Sequence, residues 1–279
     1  MKKTADFHNM PAEDWKRSLE SVFDGSRWVQ GFIDNWHHGI GHGFDVRQNA
    51  ISLIGELNDD ERSCLISEGA DIDPSEPLIN AVSAVEIASV LHDCGRFDDL
   101  TGDKLRCNQD THAEDGAERA ETFCRSHGIN GASRYVVGAV LSHDYWSGEY
   151  TPNCPRPDTM VGRIVQAADQ IIWFTPETVE RTHEVGKDYD RVFFDPSVPL
   201  EERLNWDPST KGPDTMVVML AHIAGYKGEG RFSISPARKR LDRYQDAVRK
   251  KVLELAETYK VRDEVDVLID EYIVASKSK

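Results

Sequence analysis

The chain has 279 residues, 39% of them hydrophobic, and a formal net charge of -16 at pH 7. The length suffices for one large domain or for a domain with an appended subdomain, and no stretch approaches the ~20 apolar residues that a membrane span needs. The strongly negative charge argues against broad binding to duplex nucleic acid, because that binding depends on neutralising phosphates.

The cysteines and the N-terminus predict a reducing compartment. The five cysteines are an odd number, are widely spread and form no C-x-x-C pair. They therefore favour free thiols over a disulfide framework. The first residues, "MKKTADFHNMPAEDW", carry lysines without an apolar segment behind them, which is not the pattern of a secretory signal. We expect a cytoplasmic protein.

The first part of the chain has the hydrophobic period of helices. Residues 11–34 predict an entry helix that starts near Pro11. Residues 41–57 place apolar side chains on one helical face, and residues 78–93 resume that period. The acidic stretch between them, residues 58–77, is rich in turn-forming residues and predicts a loop.

The next helices are separated by polar and proline-containing segments. After a polar loop to Asp110, Thr111 and Glu114 predict a helix that begins with a capping box. A further helix is expected to end near His143, and the apolar pattern of residues 158–174 predicts another one.

The last hundred residues are less regular. Pro176 is expected to end the preceding helix, and residues 178–236 show no regular pattern. A long amphipathic helix over residues 237–259 and a short terminal helix are expected to close the chain. Because strand signals are sparse throughout, the sequence predicts an all-α protein.

Histidines and aspartates recur on the apolar faces and at the ends of the predicted helices. A lone histidine in such a place is more often a hydrogen-bonded core residue than a ligand. Asp169 is harder to explain in this way, because an unpaired carboxylate within "VQAADQII" would be costly in a core and needs a cation or a polar network. The residues of interest are His42, His92, Asp93, His112, His143 and Asp169.

Such a set is suited to a metal centre. Helical bundles build metal sites in their cores from side chains of facing helices. Imidazole and carboxylate together favour a divalent transition metal, namely Fe, Mn, Zn, Co or Ni, over Mg or Ca. We expect one or two ions.

In this order the residues resemble the HD-domain superfamily of metal-dependent phosphohydrolases, whose signature is H…HD…D on successive helices. The stretch "HGFDVRQNA" is similar to the first helix of that family, and "VLHDCGRF" is similar to its apolar-apolar-His-Asp-x-Gly-Arg/Lys segment. "AADQI" resembles the closing Ala-Asp segment, while "THAEDGAERA" and "VLSHDYW" resemble two further His-bearing segments. The resemblance covers roughly residues 35–175.

The resemblance implies an HD-domain-like helical bundle with additional C-terminal helices. It implies a first metal ion held by His42, His92, Asp93 and Asp169, and a second held by His112 and His143, with Asp93 bridging the two. His38, one turn before His42, is an alternative ligand. The corresponding domains are an N-terminal helical extension (residues 1–34), a metal-binding core (35–178) and a C-terminal extension that packs on the core (179–279).

The resemblance also implies hydrolysis of a phosphomonoester or phosphodiester of a nucleotide or another small metabolite. Arg96, at the Arg/Lys position of the motif, is the candidate for binding the substrate phosphate, with Lys104 and Arg106 in the loop beyond it. The resemblance also makes Asp93 a metal ligand at the reacting centre. Asp144 is a candidate general acid or a partner of a ligand.

Two other interpretations remain open. A branch of the same superfamily uses the same six positions to hold two irons and to cleave polyols or phosphonates with oxygen. A non-catalytic regulatory module is the third possibility, and the intact ligand set argues against it. The long C-terminal helix is expected to pack on the bundle or against a second subunit in a homodimer.

Overall fold

The computed structural model describes residues 3–35, 39–103, 111–145, 154–188, 190–206, 212–224 and 232–276. Throughout these ranges the regular elements are helices, and none of the described residues lies in a β-strand. The predicted all-α class is therefore confirmed. None of the described helices has both the length and the apolar character required to cross a membrane.

The α-helices are numbered here in chain order. They are α1 (Ala12–Val22), α2 (Arg27–Asp34), α3 (Ile40–Gly55), α4 (Asp59–Ile72), α5 (Pro77–Leu91), α6 (His112–His127), α7 (Asn130–Ser142), α8 (Met160–Gln170), α9 (Pro176–Asp188), α10 (Leu200–Leu204), α11 (Thr215–Ala224), α12 (Ser235–Thr258) and α13 (Arg262–Ser276). Short 3-10 helices span Thr4–Phe7, Cys94–Arg96 and Ile171–Phe174.

The chain divides into two compact units. The first comprises Met1–Gln170 and Phe232–Ala237, and the second comprises Ile171–Arg231 and Arg238–Lys279. In the first unit, α5 is the central helix and packs against α3, α4, α7 and α8. Its sequence, "PLINAVSAVEIASVL", is apolar on nearly every side, which is typical of a helix buried all around.

The second unit has its own apolar core. Side chains from α9, α11, α12 and α13 form it, including Val179, Met219, Val252 and Ile269. A fully buried ion pair joins Arg203 to Asp214, with 2.7 Å between the guanidinium nitrogen and the carboxylate oxygen. Asp214 also accepts a hydrogen bond from the backbone N–H of Val217 in the first turn of α11.

The predicted entry helix over residues 11–34 is wrong as a single element. Helix α1 ends at Val22, and α2 begins at Arg27. Gly25, between them, has a φ of 77°, in the left-handed region that side chains other than glycine rarely adopt. The sequence pattern continues across the break because both helices bury an apolar face.

The loop predicted at residues 58–77 is also wrong, because its first part forms helix α4. Asn58 caps this helix by accepting a hydrogen bond from the backbone N–H of Glu61, whose carboxylate accepts one from the N–H of Asn58. Acidic residues in a first turn stabilise a helix N-terminus, so the charge that suggested a loop belongs to a helix start. Glu68 on α4 in turn accepts hydrogen bonds from the N–H groups of Met160 and Val161 at the start of α8.

Two further expectations were wrong in detail. Helix α6 begins after Thr111 as predicted, but no capping box forms, since the Thr111 hydroxyl donates to the Asp115 carboxylate instead.

The described part of residues 178–236, for which no regular pattern was expected, contains helices α10 and α11 and most of α9. Pro176 begins α9, because the fixed φ of proline suits the first turn of a helix.

Candidate metal centre

The six candidate ligands meet at one place in the first unit. His42 lies in the first turn of α3, and Asp169 lies at the end of α8. His92 and His143 directly follow α5 and α7, while His112 begins α6. The imidazole centroids are 5.1 Å apart for His42 and His92, 5.0 Å for His92 and His143, and 5.3 Å for His112 and His143.

Glycines let the backbones that carry these ligands approach closely. A Cβ atom added to Gly43, beside His42, would lie 2.6 Å from the carbonyl oxygen of Val90 on α5. A Cβ atom added to Gly95 would lie 2.0 Å from the carbonyl oxygen of His112. A larger residue at either position would therefore push a ligand-bearing helix away from the centre.

The ligand atoms form two groups that share a carboxylate. The first group is His42, His92 and Asp93, and the second group is Asp93, His112 and His143. In each group, one ligand atom from every member lies within 4.8 Å of the others, so both groups could hold a metal ion. Asp169 adjoins the first group, with its Oδ1 atom 3.1 Å from Nε2 of His42 and 3.5 Å from Nε2 of His92.

The imidazole rings are oriented as metal ligands require. Nδ1 of His92 is 2.7 Å from the carbonyl oxygen of Ser89, and Nδ1 of His143 is 2.5 Å from that of Val140. A carbonyl oxygen only accepts, so each Nδ1 carries a proton, and in the neutral ring each Nε2 keeps its lone pair.

The Nε2 atoms of His92, His112 and His143 are buried without a hydrogen-bond partner. Buried polar atoms are nearly always satisfied, and a histidine whose Nδ1–H donates to a carbonyl while Nε2 points at the centre is the usual arrangement at metals. This donor set fits a divalent transition metal.

In the first group, the carboxylates favour a positive charge on the neighbouring imidazole. Burial alone would lower the pKa of His92, but the nearby Asp93 and Asp169 carboxylates outweigh it and raise that pKa to about 9. Burial likewise opposes ionisation of Asp169, yet His92 and His42 hold the pKa of Asp169 well below its usual value. Without a metal, a proton on His92 thus supplies the positive charge that the carboxylates need.

The second group has the opposite character. Burial, together with the positive Arg96 and the neighbouring His143, lowers the pKa of His112 to about 3. His112 is therefore a neutral imidazole at ordinary pH, which is the form that binds metals.

Arg96 and Asp144 flank the second group. The Nε–H of Arg96 donates to Oδ1 of Asp93 over 2.6 Å, and the same oxygen is 3.4 Å from Nε2 of His143. Oδ2 of Asp144 lies 3.8 Å from Nε2 of His112. Loss of solvent around the Asp144 carboxyl raises its pKa, although its side chain is partly exposed. Lys104, Arg106 and His38 lie outside the described residues, and their roles stay predictions.

Two glutamines that the sequence analysis did not single out support the centre. Gln166 and Gln170, one turn apart on α8, both donate to the carbonyl oxygen of Tyr145, over 2.5 Å and 2.8 Å. They hold the segment that contains His143 and Asp144 against the helix that carries Asp169. In the sequence, these glutamines could have been recognised as polar residues near Asp169 in an otherwise apolar helix.

Comparison of the chain with protein-family models, with curated proteins and with solved structures found no match. The case for a metal centre therefore rests on the residues and their geometry.

Proposed function

We propose that this chain is a metal-dependent phosphohydrolase of the HD-domain type, acting on a small anionic substrate. The observation that carries the proposal is the sharing of Asp93 by two groups of ligands, with three buried Nε2 atoms that lack hydrogen-bond partners. A carboxylate shared by two imidazole-rich sites could hold a pair of ions over one phosphoryl group.

The proposed ligands divide between two ions. His42, His92, Asp93 and Asp169 would hold the first, and Asp93, His112 and His143 the second. A bound ion would lower the pKa of a coordinated water from about 15.7 towards 7, which supplies a nucleophile at neutral pH.

Arg96 would orient the substrate. One of its N–H groups bonds Asp93. The guanidinium carries further donors in a planar fork, which matches the oxygens of a phosphate. The carboxylates of Asp93, Asp144 and Asp169 favour its charged form, so its pKa is raised despite burial. It therefore remains a cation beside the site where negative charge develops.

Asp144 would supply a proton to the leaving group. Its carboxyl group lies beside His112, and its pKa is raised by loss of solvent. A carboxyl group with a raised pKa keeps its proton to a higher pH, which suits a general acid.

We also propose a cytoplasmic location. Cys64, Cys94, Cys124 and Cys154 are free thiols in the described residues, which fits a reducing compartment.

The experiment is to determine the metal content of protein purified without oxygen or chelator, and then to assay phosphate-ester hydrolysis. We expect one or two transition-metal ions per chain and hydrolysis of p-nitrophenyl phosphate or its bis-ester, both lost in an Asp93→Ala variant. Two irons with oxygen consumption and no ester hydrolysis would instead indicate an oxygenase. Protein that takes up no metal after reconstitution would contradict the proposal.

A further inference from the structure

Helix α6 presents a second functional residue on the face that carries His112. His112, Gly116 and Arg119 stand at i, i+4 and i+7, which places them on one side of the helix. This side contacts the 3-10 turn Cys94–Arg96, which directly follows Asp93. The Arg119 side chain is largely buried there, with 12% of its surface exposed.

Arg119 holds this turn at both ends. One amino group donates to the carbonyl oxygen of Cys94. The other donates to the carbonyl oxygen of Phe97 over 3.0 Å and to the carboxylate of Asp99 over 2.8 Å. The guanidinium carbon also lies 4.3 Å from the centre of the Trp28 ring on α2, so the fork cannot swing away freely.

The turn and the helix are in backbone contact at the point between Arg119 and His112. A Cβ atom added to Gly95 would lie 2.4 Å from the backbone nitrogen of Gly116. The thiol of Cys94 points at the carbonyl oxygen of Gly116, 3.7 Å away. The position of the turn on α6 therefore sets how far Asp93 lies from His112.

We propose that Arg119 is a positioning residue for the second metal-binding group. By binding the carbonyl oxygens at both ends of the turn, it fixes the Asp93 carboxylate relative to His112 and His143. This inference rests on the proposed metal centre. The first group depends on it less, because His42 and Asp169 come from α3 and α8, whereas the hydrogen bonds of Arg119 go to the turn and to Asp99.

The test compares Arg119→Met and Arg119→Lys with Arg125→Met in the full chain. Arg125 lies on the same helix, is 68% exposed and pairs with Glu121, so it is a matched control. Metal-free protein is titrated with Co²⁺, followed by visible absorption and calorimetry. We expect Arg119→Met to weaken binding of the second ion by about 10- to 100-fold and binding of the first ion by less. Arg119→Lys should weaken binding of the second ion by a smaller factor, because an ammonium group keeps the charge but lacks the planar set of donors of a guanidinium.

A second readout needs no metal. The backbone N–H of Arg96 donates a hydrogen bond to the backbone carbonyl oxygen of Asp93. In the Arg119→Met variant we expect faster hydrogen exchange at this amide, and no change in Arg125→Met.

Three outcomes would overturn the inference. The first is that both ions bind to the Arg119→Met variant as tightly as to the wild type. The second is that the affinities for both ions fall by the same factor, as expected if Arg119 only stabilises the fold. If Arg119→Met does not fold, the same comparison is made with Arg119→Lys. If the wild-type chain binds no Co²⁺, the proposed function fails, and unchanged exchange at the Arg96 amide would then overturn the positioning role as the third outcome.

Discussion

The two candidate metal-binding groups use the same residue types but lie in different surroundings. The two groups are buried to the same degree, since 15% of the His42 side chain and 1% of the His92 side chain are exposed in the first group. In the second group, 13% of the His112 side chain and 1% of the His143 side chain are exposed. The first group adjoins a further carboxylate, whereas the second has a guanidinium beside it.

This difference shows that neighbours, and not burial alone, decide the charge of a buried histidine. Carboxylates raise the pKa of His92 to about 9, while burial and positive neighbours lower that of His112 to about 3. We expect the first group to bind its ion more tightly. The second group would then hold a more readily exchanged ion beside the substrate.

Replacing Asp93, the ligand that both groups share, should abolish metal binding by both groups. We expect Asp93→Ala to lose both ions and all hydrolytic activity, because each group takes a ligand atom from this carboxylate. Metal analysis and an ester assay on the same preparation measure the two losses.

The control for this substitution is Asp45→Ala, which removes an exposed carboxylate three residues after His42 on α3. It should keep both ions. An Asp93→Ala protein with full metal content would exclude Asp93 as the bridging ligand.

Replacing a ligand that belongs to one group should separate the two sites. Asp169→Asn keeps the shape of the side chain but removes its charge from the first group. His112→Ala removes a ligand from the second. We expect each variant to weaken its own ion by more than about 100-fold, since changes around metal ligands already cost 10–100-fold.

Titration with Co²⁺ and the stoichiometry of the bound metal distinguish these variants. Asp169→Asn should leave a chain whose single ion is bound by the second group, and His112→Ala a chain whose single ion is bound by the first. If either substitution releases both ions together, the two groups do not bind independently.

The candidate ligands could be identified from the sequence because they lie where helix periodicity is informative. His92 and His143 follow apolar helices, and Asp169 interrupts one, so each stands out against its local pattern. The all-α class followed from the same periodicity. The roles of Arg119 and Gln166 could not be found, because their partners are backbone carbonyls of turns that only the tertiary fold brings near.

The missed helices have physical reasons of their own. Helix α4 has an acidic first turn that resembles a loop in composition. Helix α9 is polar, α10 has only five residues, and α11 is apolar at nearly every position, so none of the three shows a clear amphipathic period. In such helices tertiary packing contributes more than the hydrophobic pattern, so the sequence alone does not show them.

The pH dependence of metal binding should differ between the groups. Below pH about 9 an ion must displace the proton of His92, so affinity for the first ion should rise about tenfold per pH unit up to that pH. The second ion should show no such dependence on His112, whose pKa of about 3 leaves it neutral.

The same proton stabilises the metal-free fold. Because the folded pKa of His92 is raised, this stability is fully present below the unfolded pKa of about 6.5 and is lost as the pH rises through about 9. The difference in pH dependence between the two ions is tested by measuring the protons released during Co²⁺ titration from pH 6.5 to 9. Equal proton release on binding both ions would contradict it.

The smallest effect is expected for Arg96, which touches the shared carboxylate without being a ligand. We expect Arg96→Ala to raise KM for a phosphate ester about tenfold, because a hydrogen bond from a charged donor contributes roughly 1.5–3 kcal/mol. Both ions should stay bound, and Arg134→Ala, which removes a 64% exposed arginine from α7, should change neither quantity. If Arg96→Ala instead loses the second ion at unchanged KM, the bond from Arg96 to Asp93 orients the ligand, and the substrate phosphate binds elsewhere.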